Sequence, residues 1–122
     1  MKISRAGDEL SRESREKLRE ALSGYADLAF AHLDHVVVEE APGGNLVLFA
    51  WLRRGGLRWM RPSLKRVSEL VARSIPSGSF IDVVILNSAP ELLEEIEAVG
   101  GLLVENDPEE RRRVLESLDS RE

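Results

Sequence analysis

Apolar positions in this chain fall into two patterns, and their alternation predicts the architecture. Residues 46–52 (LVLFAWL) and 81–86 (IDVVIL) are short, nearly continuous apolar runs rich in β-branched or aromatic residues. Such runs predict strands buried on both faces, adjacent and central in one sheet. Residues 36–38 (VVV) extend a third candidate strand over 34–40, and residues 28–33 (LAFAHL) form a strand if the preceding helix stops at Gly24. Helical spacing appears elsewhere. Leu10, Leu18, Ala21 and Leu22 share a face of a helix that Asp8 or Ser11 can cap, with Glu13 and Lys17 one turn apart on its surface. Pro62 and Ser63 open a second helix with Leu64, Val67, Val71 and Ile75 facing inward, closed by residues 76–79 (PSGS).

The C-terminal third repeats the alternation. Asn87 and Ser88 suit a turn and N-cap, and a helix is expected from Ala89, with Leu92, Leu93, Ile96 and Val99 inward, until Gly100 and Gly101 stop it. Residues 102–105 have room for a short strand. Asp107 and Pro108 then open a last helix carrying Val114, Leu115 and Leu118. Residues 41–45 (APGGN) read as a turn, Gly55 and Gly56 as the end of a strand, and residues 1–7 as a loose leader without periodicity. The expected fold class is therefore α/β: a single domain over residues 1–122, with a small mixed β-sheet flanked by helices.

Composition narrows the function. With 122 residues and 43% hydrophobic content the chain can bury one core, and its formal charge of −5 argues against a surface made wholly for nucleic acid. The absence of cysteine excludes disulfides and thiolate chemistry, and no signal-like or membrane-spanning run is present, so a cytoplasmic location and no membrane partner are expected. Three asparagines, no glutamine and 32% charged residues suit a thermophilic source. The one basic patch holds Arg53, Arg54, Arg58, Arg61, Lys65 and Arg66, interleaved with Trp51 and Trp59 and free of acids. Arginine with tryptophan suits a protein interface or, as a lesser alternative, nucleic acid.

Other constellations read blandly. His32, Asp34 and His35 spell a possible metal cluster, but on a strand His32 and Asp34 share one face and His35 takes the other, so ordinary polar residues near a strand end are expected. Glu91, Glu94, Glu95 and Glu97 lie largely opposite the apolar stripe of their helix, as a solvated face would.

The wording from 82 to 90 (DVVILNSAP), followed by Leu92 and Leu93 and then by residues 100–111 (GGLLVENDPEER), resembles the C-terminal half of the minimal nucleotidyltransferases. These are small prokaryotic proteins often paired with a helical HEPN protein in toxin–antitoxin systems. The resemblance implies a palm-like nucleotidyltransferase fold in which Asp82 is the third carboxylate of a metal site. It also implies a Gly-Ser-x3-Gly phosphate cradle and an Asp-x-Asp pair upstream, whose glycines admit phosphates and whose carboxylates hold Mg²⁺. In the ungapped register from 29 to 52, Leu33, Asp34 and Val38 stand at the cradle positions and Asn45 and Val47 at the Asp-x-Asp positions. The cradle and two carboxylates are thus replaced. The expectation is a pseudoenzyme with no metal and no cofactor, acting as an antitoxin-like partner of a HEPN-type protein or as a homodimer, with Arg53, Arg54, Arg58, Trp59, Arg61 and Arg66 at the interface. Residual nucleotidyl transfer or nucleotide binding through Asp82 is the enzyme alternative. A third reading is the C-terminal domain of SseB-like proteins, whose Pro-x-Gly-x3-Asp-Val-Val pattern matches residues 76–84.

Overall fold

The computed structural model of the chain describes residues 1–53 and 57–119. In chain order it places β1 (Lys2–Arg5), α1 (Arg12–Ser23), β2 (Leu28–Val38), β3 (Ala41–Leu52), α2 (Leu57–Ser74), β4 (Ile81–Ile85), α3 (Leu93–Val99), β5 (Leu102–Glu105) and α4 (Pro108–Asp119). Two short 3-10 turns, Leu86–Ser88 and Pro90–Leu92, join β4 to α3. The described strands form one mixed five-stranded sheet. β2 and β3 make an antiparallel hairpin, β4 joins β3 in parallel after the α2 crossover, and β1 and β5 share the outer edge of β2. The α/β expectation holds, with α1 and α2 on one face and α3 and α4 on the other.

Each face has its own core. Leu18, Leu22, Val67, Leu70 and Val71 pack on Leu33, Leu48, Ala50 and Ile85. Phe30, Val47, Phe49 and Leu86 pack beneath Leu93, Ile96 and Val114. Burying a Leu, Ile or Val of this kind is worth roughly 1.5–3 kcal/mol, so the two layers carry the fold.

Several expectations change. Residues 1–7 are no loose leader: β1 pairs with β2 from Lys2↔Val37 to Arg5↔Asp34, and Ile3 is buried against Val36. A four-residue strand shows too few alternations to be seen in sequence. The two candidate strands at 28–33 and 34–40 are one strand, β2, and the turn lies at Glu39–Glu40 rather than over residues 41–45. Pro42, Gly43 and Gly44 fall in β3, where β4 has not yet begun to pair, so a missing donor costs no ladder bond on that side. α2 begins at Leu57 instead of Pro62. Pro62 is exposed on the sixth residue of the helix, where the carbonyl it leaves unpaired can be hydrated. Leu64 consequently faces solvent, and Ser63, Leu70 and Ser74 join Val67 and Val71 on the inner face. The expected strand end at Gly55 and Gly56 lies outside the described residues.

β4 is adjacent to β3 as expected, but it is an edge strand and not a central one. Its middle residues are only half-buried, and Phe80 just before it is 67% exposed. The helix expected from Ala89 becomes regular only at Leu93, since Asn87 and Ser88 are engaged elsewhere. Asn87 Oδ1 accepts from the Leu52 amide at 2.8 Å and its Nδ2 donates to the Leu52 carbonyl at 2.9 Å, adding one rung to the end of β3. Ser88 Oγ donates back to Ile85 O. Other signals hold. Ser11 caps α1 through the Ser14 amide at 3.1 Å, Gly100 ends α3 with φ 77°, and Asp107 Oδ1 accepts from Glu110 N at the start of α4.

Asn106 ties the C-terminal unit to the rest. Its Nδ2 faces three carbonyls, Leu22 O at 3.0 Å, Leu28 O at 3.1 Å and Tyr25 O at 3.3 Å, while the Asn106 and Asp107 amides donate to Ala29 O. One side chain thus joins the end of α1 and the start of β2 to the turn before α4. Asn106→Ala is expected to cost roughly 1–3 kcal/mol, and Asn106→Asp more, because it turns a donor into an acceptor facing three acceptors. Urea denaturation of the three proteins measures this; equal stability of Asn106→Asp and wild type would contradict it.

Candidate functional site

The densest polar arrangement lies on β2, on the α3/α4 face. An irregularity in the β2–β3 register between Leu28 and Phe30 sets it up: Ala29 and Phe30 both pack in the α3/α4 core, while Leu28 and Ala31 pack in the other. A one-residue shift reverses every later side chain, so His32 and Asp34 come to lie with Phe30 beneath α3 and α4. From there a row runs across four strands: Arg5, Asp34, Val47 and Asp82 are successive Cα partners. Strands lie about 4.8 Å apart, so Asp34 and Asp82 are separated by roughly 10 Å with Val47 between them.

His32 and Asp34 are both fully buried, which corrects the expectation of ordinary polar residues near a strand end. The sequence shows only that they share a face; the covering by α3, α4 and Gly101 comes from tertiary packing. His32 Nε2 lies 2.7 Å from Glu97 Oε2. An ionised carboxylate only accepts, so Nε2 carries the proton in that contact. Glu97 also accepts a two-pronged bond from Arg111, whose Nε reaches Oε2 at 3.3 Å and whose NH2 binds Oε1; Arg111 NH1 donates to Glu105 Oε2 at 2.8 Å. Burial raises the Glu97 pKa, but the bonds from His32 and Arg111 outweigh it and hold the carboxyl below its ordinary value. Glu97 is therefore no member of a solvated face, unlike the exposed Glu91, Glu94 and Glu95. It stands one turn after Leu93 and next to Ile96, an inner-edge position that helical spacing alone can reveal.

Asp34 has no such support. Neither carboxylate oxygen, nor His32 Nδ1, finds a hydrogen-bond partner among the described residues. Desolvation drives its pKa up from 3.8 to about 6, and the nearby His32 only partly counters this. Gly101 lies against it so closely that a Cβ there would overlap Asp34 Oδ1 and come within 2.8 Å of Leu33 O. No larger residue fits without displacing the carboxyl.

The positions singled out by the family register are placed as follows. Leu33, Asp34 and Val38 are all in extended backbone of β2, and the Leu33 amide donates to Gly101 O, so this amide is held in the sheet. Asn45 is exposed beside Val36, and Val47 is buried. Asp82 pairs with Val47 on the edge strand and lines an open groove of about 670 Å³ with Leu64, Ile75 and Phe80. Among the described residues, no three His, Asp or Glu side chains converge on a possible metal position.

The basic patch divides. Arg53 pairs with Asp107 at 3.3 Å, and Arg66 with Glu69 at 3.4 Å. Trp51 stacks on Phe30, 6.1 Å between centroids, and its Nε1 donates to Glu110, so it serves the core edge. Arg58, Trp59 and Arg61 are exposed on the first two turns of α2, Trp59 by 41%; Arg54 lies outside the described residues. No helix among the described residues is long and apolar enough to cross a membrane. In comparisons with known proteins, no family model, no curated protein and no solved structure matches this chain.

The buried carboxyl of Asp34 and the partly buried one of Glu97 give stability opposite dependences on pH. Asp34 binds its proton more tightly folded than unfolded, so its contribution is complete below about pH 4 and is lost as pH rises through about 6; two pKa units correspond to roughly 3 kcal/mol. Glu97 acts in reverse and loses its contribution as pH falls. Asp34→Asn is expected to be more stable than wild type at pH 7 by about 1–2 kcal/mol and to lose the decline between pH 4 and 6. Denaturation midpoints across pH 4–8 check this; a variant destabilised equally at every pH would contradict it.

Proposed function

We propose that this chain is a catalytically degenerate minimal nucleotidyltransferase-like protein that works by binding, with a helical HEPN-type protein as its partner. Val47 carries the reading. In the family register it takes the place of the second aspartate of the Asp-x-Asp pair, and it lies directly beside Asp82, where two carboxylates of a shared metal site belong. An isopropyl group offers a cation no oxygen, and Asp34, one strand further on, is buried and about 10 Å from Asp82. Mg²⁺ at this position would hold one carboxylate only.

A domain without this chemistry acts through its surface. The start of α2 presents Arg58, Trp59 and Arg61 on a chain of net charge −5, a local cationic and aromatic patch of the composition that anchors protein interfaces. Arg53 and Arg66 flank it, each already paired within the chain.

Two experiments bear on this reading. Incubation with labelled ATP, Mg²⁺ and candidate acceptors is expected to give no AMP transfer; transfer that Asp82→Ala abolishes would overturn it. Co-purification from the native source is expected to recover a helical partner, with Trp59→Ala weakening the complex by at least about 30-fold at any salt concentration. Arg58→Glu is expected to slow association at low salt and to matter less as salt rises. A protein recovered only as a monomer, or a complex indifferent to Trp59, would contradict the assignment.

A further inference from the structure

A second polar cavity lies against the Gly100–Gly101 turn. It has a volume of about 140 Å³, and three arginines line it: Arg5 from β1 and Arg15 and Arg19 from α1. Leu33, Gly101 and Leu103 form much of the remaining wall.

Each guanidinium is held by a backbone carbonyl. Arg5 Nε donates to Val99 O at 3.1 Å, Arg19 Nε to Leu103 O at 3.0 Å, and Arg15 NH2 to Gly7 O at 3.4 Å. These bonds use one edge of each group and leave further N–H donors. No carboxylate lines the cavity. The acids nearest in sequence are engaged: Glu9 accepts from the Gly7 amide at 2.7 Å, and Glu16 pairs with Arg19 on the helix surface. Arg5 and Arg15 have no acidic partner among the described residues. With Arg19 already joined to Glu16, two cations, Arg5 and Arg15, face one small space without a counter-charge and repel one another unless an anion joins them.

We infer that Arg5, Arg15 and Arg19 form a binding site for a phosphate group, as inorganic phosphate or as the terminal phosphate of a monoester. A cavity of about 140 Å³ has room for a phosphate group. Arginine forks match the oxygens of a tetrahedral anion with paired N–H donors, and a dianion answers more of the cavity's charge than a carboxylate does. The ester portion of a monoester would leave the cavity past Leu102, which lines the cavity and is 37% exposed. Arg5 is also the Cα partner of Asp34 at the end of the row described above, but neither Val47 nor Asp82 lines the cavity, and the site does not depend on the partner proposed above.

Calorimetry and ¹⁵N-resolved NMR on the full chain test it, with inorganic phosphate, AMP and acetate titrated at constant ionic strength. Saturable binding of phosphate or AMP is expected to move the Gly100 and Gly101 amides and the Nε–H signals of Arg5 and Arg19. Arg15→Gln and Arg5→Gln are each expected to weaken binding at least tenfold, whereas Arg73→Gln, on the exposed surface of α2, leaves it unchanged. Phosphate and AMP at equal affinity, or AMP tighter, both support a site for the phosphate group. Acetate binding as tightly as phosphate would overturn the inference. So would shifts confined to the arginines of α2, or full affinity in Arg15→Gln. The NMR map is made on the wild-type chain, so a variant that fails to fold leaves it decisive.

Discussion

The burial of β2 is the constraint on which the rest of the structure depends. The strand carries a histidine and an aspartate into the interior and is bonded on both edges, by β3 along its length and by β1 and β5 in succession on the other side. Neither outer strand covers that edge alone. The Gly100–Gly101 turn fills the interval, with the Leu33 amide bonded to Gly101 O, and a glycine is needed where Asp34 Oδ1 leaves no space for a Cβ. Residues at the two ends of the chain therefore meet along one strand. Asn106 secures the C-terminal approach by satisfying carbonyls of α1, of the following turn and of β2.

Two titratable groups two residues apart on this strand have opposite surroundings. His32 is joined to α3 through Glu97, and Glu97 to α4 through Arg111, which itself spans Glu97 and Glu105. Charged and hydrogen-bonded on several sides, this cluster holds three elements in one geometry. Removing Glu97 takes away the acceptor that both His32 and Arg111 share and so loosens all three elements at once. Asp34 has only its own backbone bonds and an overlying glycine. A carboxyl kept there without donors lowers stability whenever it ionises, and such strained polar positions occur more often in functional sites than in inert cores.

Periodicity revealed the larger elements and missed what depends on their contacts. The apolar runs at 46–52 and 81–86, the Gly24 and Gly100 stops and the Asp107–Pro108 start all describe local chemistry, and they were legible. β1 is not legible, because four residues carry little alternation, and the start of α2 is hidden because Pro62 has the chemistry of a first-turn residue. The polar site was half legible. A shared face for His32 and Asp34 follows from strand geometry, and an inner-edge position for Glu97 follows from its spacing to Leu93. Their burial, the link to Arg111 and the bulge near Ala29 that chooses the face arise only when distant segments pack. The same is true of the arginine cavity, whose members stand in β1 and α1 and bond to carbonyls as far as 94 residues later in the chain.

The state of Asp34 tests this account most directly, because its burial, its lack of donors and the close approach of Gly101 all bear on one observable. A ¹³C NMR titration of the Asp34 side-chain carboxyl between pH 3 and 8 follows that single group in the intact protein. The expected midpoint is about 6. A midpoint at or below the ordinary value of 3.8 would mean that the carboxylate is hydrated or hydrogen-bonded in solution, and would contradict the buried row on which the site is built.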